Sequence, residues 1–260
     1  MQLANKFKRE QEDLAKIEKV LVKNYEKIIA PFYEMQTNFL SSRYKINKSL
    51  ESSNILTLLG KGLHLAILRE REKYLDFDIS LNNFYKINDY LREKKYSLDH
   101  GYKIVTIVKQ TGIPKETVRR KLKKLVEDKV VNYDNKNKIY NYNLTNQNEE
   151  LYKKFIEDDI NSLSRFLSHV IRNMGFELKI KNIENEIKSK FSFYYYHFYS
   201  CQLDWLRMWQ TKLKDVDLVF IAIQALIPTL KYTDEIKAKN KTKQNLEKDS
   251  LHTLIGKTNQ

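Results

Sequence analysis

The stretch Thr111-Gly112-Ile113-Pro114-Lys115-Glu116-Thr117-Val118-Arg119-Arg120-Lys121-Leu122-Lys123-Lys124-Leu125 decides how this chain is read. A tight turn built on Gly112 leads into a helix. Its apolar residues Val118, Leu122 and Leu125 recur at four and three, so they share one face. The opposite face carries Lys115, Glu116, Arg119, Arg120, Lys123 and Lys124. A helix that packs on a small domain with one side and lies in a DNA groove with the other must look like this, although an ordinary amphipathic helix with a solvated basic face has the same pattern.

The sequence on either side fits that reading. A short helix is predicted from about Tyr102 to Gln110, with Ile104, Ile107 and Val108 as its apolar residues. Beyond the basic helix, which is expected to end near Asp128, Val130-Val131-Asn132-Tyr133 and Ile139-Tyr140-Asn141-Tyr142 are β-prone. They flank Asp134-Asn135-Lys136-Asn137-Lys138, a polar tract of turn formers, so a hairpin with a basic loop is predicted. Charge concentrates in the same place. Residues 101–142 hold eleven Lys and Arg against four acids, a surplus of seven, which is half of the chain's formal +14. A local surplus of this kind is the electrostatic footprint of a phosphate-binding surface.

Composition sets the frame. The 260 residues include six glycines and three prolines and are rich in Lys, Glu, Leu and Ile, which favours a mainly α fold. Cys201 is the single cysteine, so no intramolecular disulfide is possible; a reducing cytoplasm is expected. The first thirty residues alternate charged and apolar positions and do not read as a signal peptide. The longest apolar run, Leu218 to Leu230, spans thirteen residues, which is short for a bilayer; it is expected to be a buried helix of a soluble protein.

Four segments are expected. Residues 1–52 read as an amino-terminal helical arm. Phe7, Leu14, Leu21 and Ile28 stand seven apart there, a pattern that Pro31 is expected to stop. This arm either pairs with a partner helix or folds onto its own protein, and a polar patch from Asn47 to Asn54 is expected to separate it from the rest. Residues 53–146 contain two further helices, from Ile55 to Tyr74 and from Leu81 to Lys94, followed by the elements above. Residues 147–232 form a carboxy-terminal α-helical domain. It comprises a helix from Leu151 to Met174, an aromatic cluster from Phe191 to Trp209, and an apolar helix capped by Asp217 and ended by Pro228. Residues 233–260 read as a flexible basic tail.

The basic segment resembles the winged helix-turn-helix of bacterial transcription regulators, and its wording is close to the DNA-binding domain of the Crp/Fnr family. That family's pattern, G-x-x-[RK]-E-T-V-x-R-x-L-x-x-L, reads here as Gly112, Lys115, Glu116, Thr117, Val118, Arg120, Leu122 and Leu125. MarR-like and GntR-like regulators use similar text. The resemblance implies a mainly α fold with a small β-hairpin wing, and a sequence-specific regulator of double-stranded DNA, acting as a homodimer. By resemblance, Lys115, Glu116 and Arg120 would reach base edges. Lys103, Thr117, Arg119, Lys123 and Lys124 would contact phosphates, with Lys136 and Lys138 doing so from the wing. Lys115 stands where the family usually carries Arg, so base preference does not transfer. No glycine-rich β-roll for a cyclic nucleotide is found, so that family's effector is not implied; an effector of another kind remains open.

Other candidates carry less. His197, Cys201 and Asp204 fall on one helical face and have the chemistry of zinc ligands, but no second ligand pair accompanies them. The aromatic cluster reads as core, with a small-molecule pocket as the alternative. No phosphate loop or nucleophile constellation is present, so neither enzyme chemistry, nor a cofactor, nor a metal is expected. Two other functional classes stay open: an architectural or replication-associated DNA-binding protein of low sequence preference, and a protein-interaction scaffold.

Overall fold

The computed structural model of the chain describes residues 2–92, 100–143 and 149–230, together with 232, 236 and 239. The tail expected over 233–260 lies outside the described residues apart from the last two positions. The molecule is mainly α-helical with one small two-stranded antiparallel sheet. It divides into two compact units, Met1–Phe220 and Ile221–Gln260.

The first unit is organised around one helix, α3 (Leu50–Lys73). Its cap is the Ser49 hydroxyl, which accepts from the Ser52 backbone N–H at 3.3 Å. From Leu50 to Gly60 every residue except Glu51 is buried, so this half is enclosed on all sides. Small residues make that possible. A Cβ on Gly62 would lie 2.6 Å from the Tyr102 ring and 2.5 Å from the His100 carbonyl, so a side chain there would expel the segment packed against it. Around α3 lie α2 (Tyr25–Asn47), α5 (Ile104–Thr111), α6 (Lys115–Glu127) and α9 (Phe191–Leu213). α7 (Glu149–Asn173) packs on α2 and on α8 (Ile180–Ser189), while α4 (Leu81–Arg92) rests against α8 and α9. The segments expected as arm, middle and carboxy-terminal parts thus contribute helices to one unit.

Several expectations are corrected. α1 (Gln2–Lys23) ends before Asn24, whereas Pro31 lies inside α2. Proline cannot donate its own helical bond, but the chain continues because α2 is held by burial of Ile28, Ala30, Met35 and Phe39. The polar patch 47–54 is no linker. Lys48, in the left-handed region (φ 49°), and Ser49 alone turn the chain, and Ser52, Ser53 and Asn54 are buried in α3. Tyr102 is not helical but forms an antiparallel bridge to Tyr140, with N–H···O distances of 3.0 and 2.9 Å in the two directions. α8 was not expected at all. Asp215 rather than Asp217 caps the next helix, accepting from the Asp217 N–H at 2.8 Å. In the second unit residues 221–230 are helical through Pro228, which therefore does not end the run.

The sheet pairs β1 (Val131–Asp134) with β2 (Ile139–Tyr142) in the register Val131↔Tyr142 to Asp134↔Ile139. Ile55, Leu59, Ile107, Ile113, Val118, Leu122, Leu125, Val131 and Leu203 form one buried cluster, joining α3, α5, α6, β1 and α9. Among the described residues no helix is long and apolar enough to cross a membrane.

Candidate nucleic-acid interface

α5 ends at Gly112, whose φ of 73° places it in the left-handed region that disfavours a side chain. Its N–H closes the helix on the Val108 carbonyl at 2.9 Å. The buried Thr111 hydroxyl donates to the Ile107 carbonyl at 2.8 Å and accepts from the Ile113 N–H at 3.3 Å. Ile113 is then driven into the core, and Pro114 starts α6 with a φ already suited to a helix. Because Pro114 offers no side-chain cap, the first N–H groups of α6 stay open, the arrangement that favours an anion.

α6 is amphipathic as the spacing predicts. Val118 and Leu122 are fully buried and Leu125 nearly so; each such burial contributes about 1.5–3 kcal/mol. Lys115, Glu116, Arg119, Arg120, Lys123 and Lys124 are all exposed, and Thr117 is half-buried. Lys121 differs from its neighbours. Its Nζ donates to Ser49 Oγ at 2.7 Å and lies 2.8 Å from a Glu51 carboxylate oxygen, which pins α6 to the start of α3.

Exposed ion pairs along α6 join Arg119 to Glu116 at 2.7 Å and Lys124 to Asp128 at 3.1 Å, with Lys123 and Glu127 at 4.0 Å. Pairs of this kind are worth only a few tenths of a kcal/mol, so a phosphate can displace the acid. Lys103, Lys115, Arg120 and Lys136 take part in no ion pair among the described residues, and all four are exposed.

The hairpin loop has its own fastening. The Asp134 carboxylate accepts from the backbone N–H of Asn137 (3.1 Å) and of Lys136 (2.8 Å) and from Asn137 Nδ2 (2.7 Å). These bonds, the Asn137 N–H first, hold its carboxyl below the usual carboxylate range. Lys136 and Lys138 both reach solvent, and Lys138 Nζ donates to Asn135 Oδ1 at 2.8 Å. Burial pushes the Tyr140 hydroxyl up, with Tyr133 adding and the Arg119 charge opposing. α6 packs on β1, so the basic helix and the hairpin, with its two loop lysines, are neighbours.

Two residues at this surface escaped the sequence reading. Tyr133 stacks on Tyr140 with ring centroids 4.6 Å apart and is 40 % exposed, presenting an aromatic face on the hairpin. Its β-prone alternation was the available signal. Arg207 of α9 reaches the turn, where a Cβ on Gly112 would lie 3.4 Å from its Cγ. Nothing local predicts that approach. Two of the three side chains on α9 have other partners. His197 packs on the rings of Phe193 and Tyr196, while Asp204 pairs with Arg207 at 3.2 Å. Among the described residues no group of three or more side chains is placed to hold a metal.

No family model, curated protein or solved structure was found to match the chain.

Proposed function

We propose that residues 101–142 act as a winged helix-turn-helix that binds double-stranded DNA, and that the protein is a transcription regulator. The observation that carries this reading is the basic face of α6. It is fully solvent-facing, seated on Val118, Leu122 and Leu125, and flanked by a hairpin whose loop presents two further lysines. In this reading α6 enters the major groove, with Lys115, Glu116 and Arg120 at base edges. Lys103, Thr117, Arg119, Lys123 and Lys124 hold phosphates, and the hairpin, with Lys136 and Lys138, is the wing. A homodimer is the natural form for such a reader, and Leu14 of α1, 65 % exposed within its heptad pattern, is available for pairing.

Selection of bound duplexes from a random pool tests the proposal. A coherent motif is expected, with half-sites about one helical turn apart if the protein is dimeric. Binding without enrichment, steeply dependent on salt, would make it an architectural protein instead. No retention of duplex even at low salt would leave the scaffold reading.

A further inference from the structure

A cleft of about 340 Å³ lies among α2, α7 and α8, well apart in sequence from the basic helix. Its wall on α7 has an unusual charge pattern. From Ile160 to Asn173 the helix contains no Asp or Glu, and its basic residues are Arg165 and Arg172, with His169 between them. Spaced at i, i+4 and i+7, they occupy one face within roughly 10 Å along the axis. All three line the cleft and are exposed, and none forms an ion pair among the described residues. Elsewhere on the surface Lys188 pairs with Glu157, Lys190 with Glu186, and Arg207 with Asp204.

Ser168 and the start of α8 border the same space. Ser168 lines the cleft at 8 % exposure, and its hydroxyl has no hydrogen-bond partner among the described residues. α8 begins at Ile180, also on the cleft wall. Lys179 gives it no side-chain cap, and its first turn contains no acid. The N–H groups of Ile180 and Lys181 have no backbone partner among the described residues, and this positive end of α8 borders the cleft at Ile180. Glu34, the one acid lining the cleft among the described residues, already has a partner. Phe166 and Met35 supply an apolar wall.

We propose that this cleft binds a small oxyanion ligand, a molecule with a phosphate or carboxylate group on a short apolar body. Arg165 and Arg172 donate charge-assisted hydrogen bonds from one side. Ser168 and the start of α8 complete the site. The inference stands on α7 and α8 and is independent of DNA binding by α6.

Calorimetric titration of the full chain at low salt, with inorganic pyrophosphate and citrate as probes, tests it. Saturable one-to-one binding of at least one probe is expected, and which one binds distinguishes phosphate from carboxylate ligands. Arg165→Gln and Arg172→Gln should each weaken binding about tenfold, the loss typical of a charged hydrogen bond. Arg119→Gln on α6 should leave it unchanged. In the unmodified protein, bound probe should also protect His169 from diethyl pyrocarbonate, read by mass spectrometry, which keeps the test valid if a variant folds poorly. Absence of saturable binding, unchanged affinity in the Arg165→Gln/Arg172→Gln double variant, sensitivity to Arg119→Gln, or unprotected His169 would each overturn the assignment.

Discussion

His64 shows how far a single residue's chemistry depends on what surrounds it. Its ring stacks on Phe84 at 4.9 Å and meets the edges or faces of Phe191 and Tyr195 at 5.3 and 5.5 Å, with 1 % of its surface exposed. Burial drives its pKa down to about 3, so it is neutral in the folded protein. The sign follows directly. Between the ordinary value near 6.5 and 3 the unfolded chain holds the extra proton, so stability falls as pH drops through this window. Relative to pH 7, folding at pH 5 should be weaker by about 2 kcal/mol from this residue alone. A His64→Phe variant should lose that part of the pH dependence, measured as urea midpoints at the two pH values. In the sequence this histidine is one of five scattered ones and carries no periodic signal of its own, because its pocket is made by α4 and α9. Gly112 is the opposite case. Its left-handed φ was legible, because a turn squeezed between two helical patterns demands it.

The basic helix and the hairpin behave as elements with distinct predicted duties. Arg120 is exposed and unpaired on α6, whereas Lys136 sits on a loop clamped by Asp134. If α6 reads bases, Arg120→Ala should cost about 1–3 kcal/mol at the selected duplex and flatten preference at one position. Lys136→Ala should weaken all duplexes alike and reduce the salt slope by about 1. Fluorescence anisotropy across a salt series separates the two. Equal losses on selected and random duplex for Arg120→Ala would remove it from the base-reading set. Amphipathic spacing made both elements legible, since the 3.6 and 2 periods encode which side is buried. It missed that Lys121 turns inward to Ser49 and Glu51, and that Tyr102 bridges Tyr140. A lysine looks the same in any register of a charged run, and a one-residue bridge leaves no alternation to detect.

Across the whole first unit, Arg43 of α2 and Asp159 of α7 form a buried bidentate pair at 3.0 and 2.7 Å, 116 residues apart in sequence. The guanidinium also stacks on Phe39, 3.5 Å from its centroid, and donates to the Phe39 carbonyl at 3.2 Å. Burial raises the Asp159 carboxyl against the pull of Arg43, so the pair tolerates no loss of either partner. Arg43→Met should destabilise the protein by about 3–5 kcal/mol, and the double variant Arg43→Met/Asp159→Leu should recover most of it. Thermal or urea unfolding of the three proteins measures this; a double variant no better than the single one would show that the pair itself, not its orphaned charge, holds α2 to α7. Neither residue stood out along the chain, for each resembles the many solvated charges around it. Local pattern was enough to reveal α5, α6, the turn at Gly112 and the outward basic face of α6, because periodicity, glycine sterics and like-charge crowding act between near neighbours. Three-dimensional packing alone settled that the first half of α3 is sheathed on all sides, that Pro31 is carried inside a helix, and that three expected segments share one unit. Those outcomes rest on contacts between residues far apart in the chain, whose partners no short window of sequence contains.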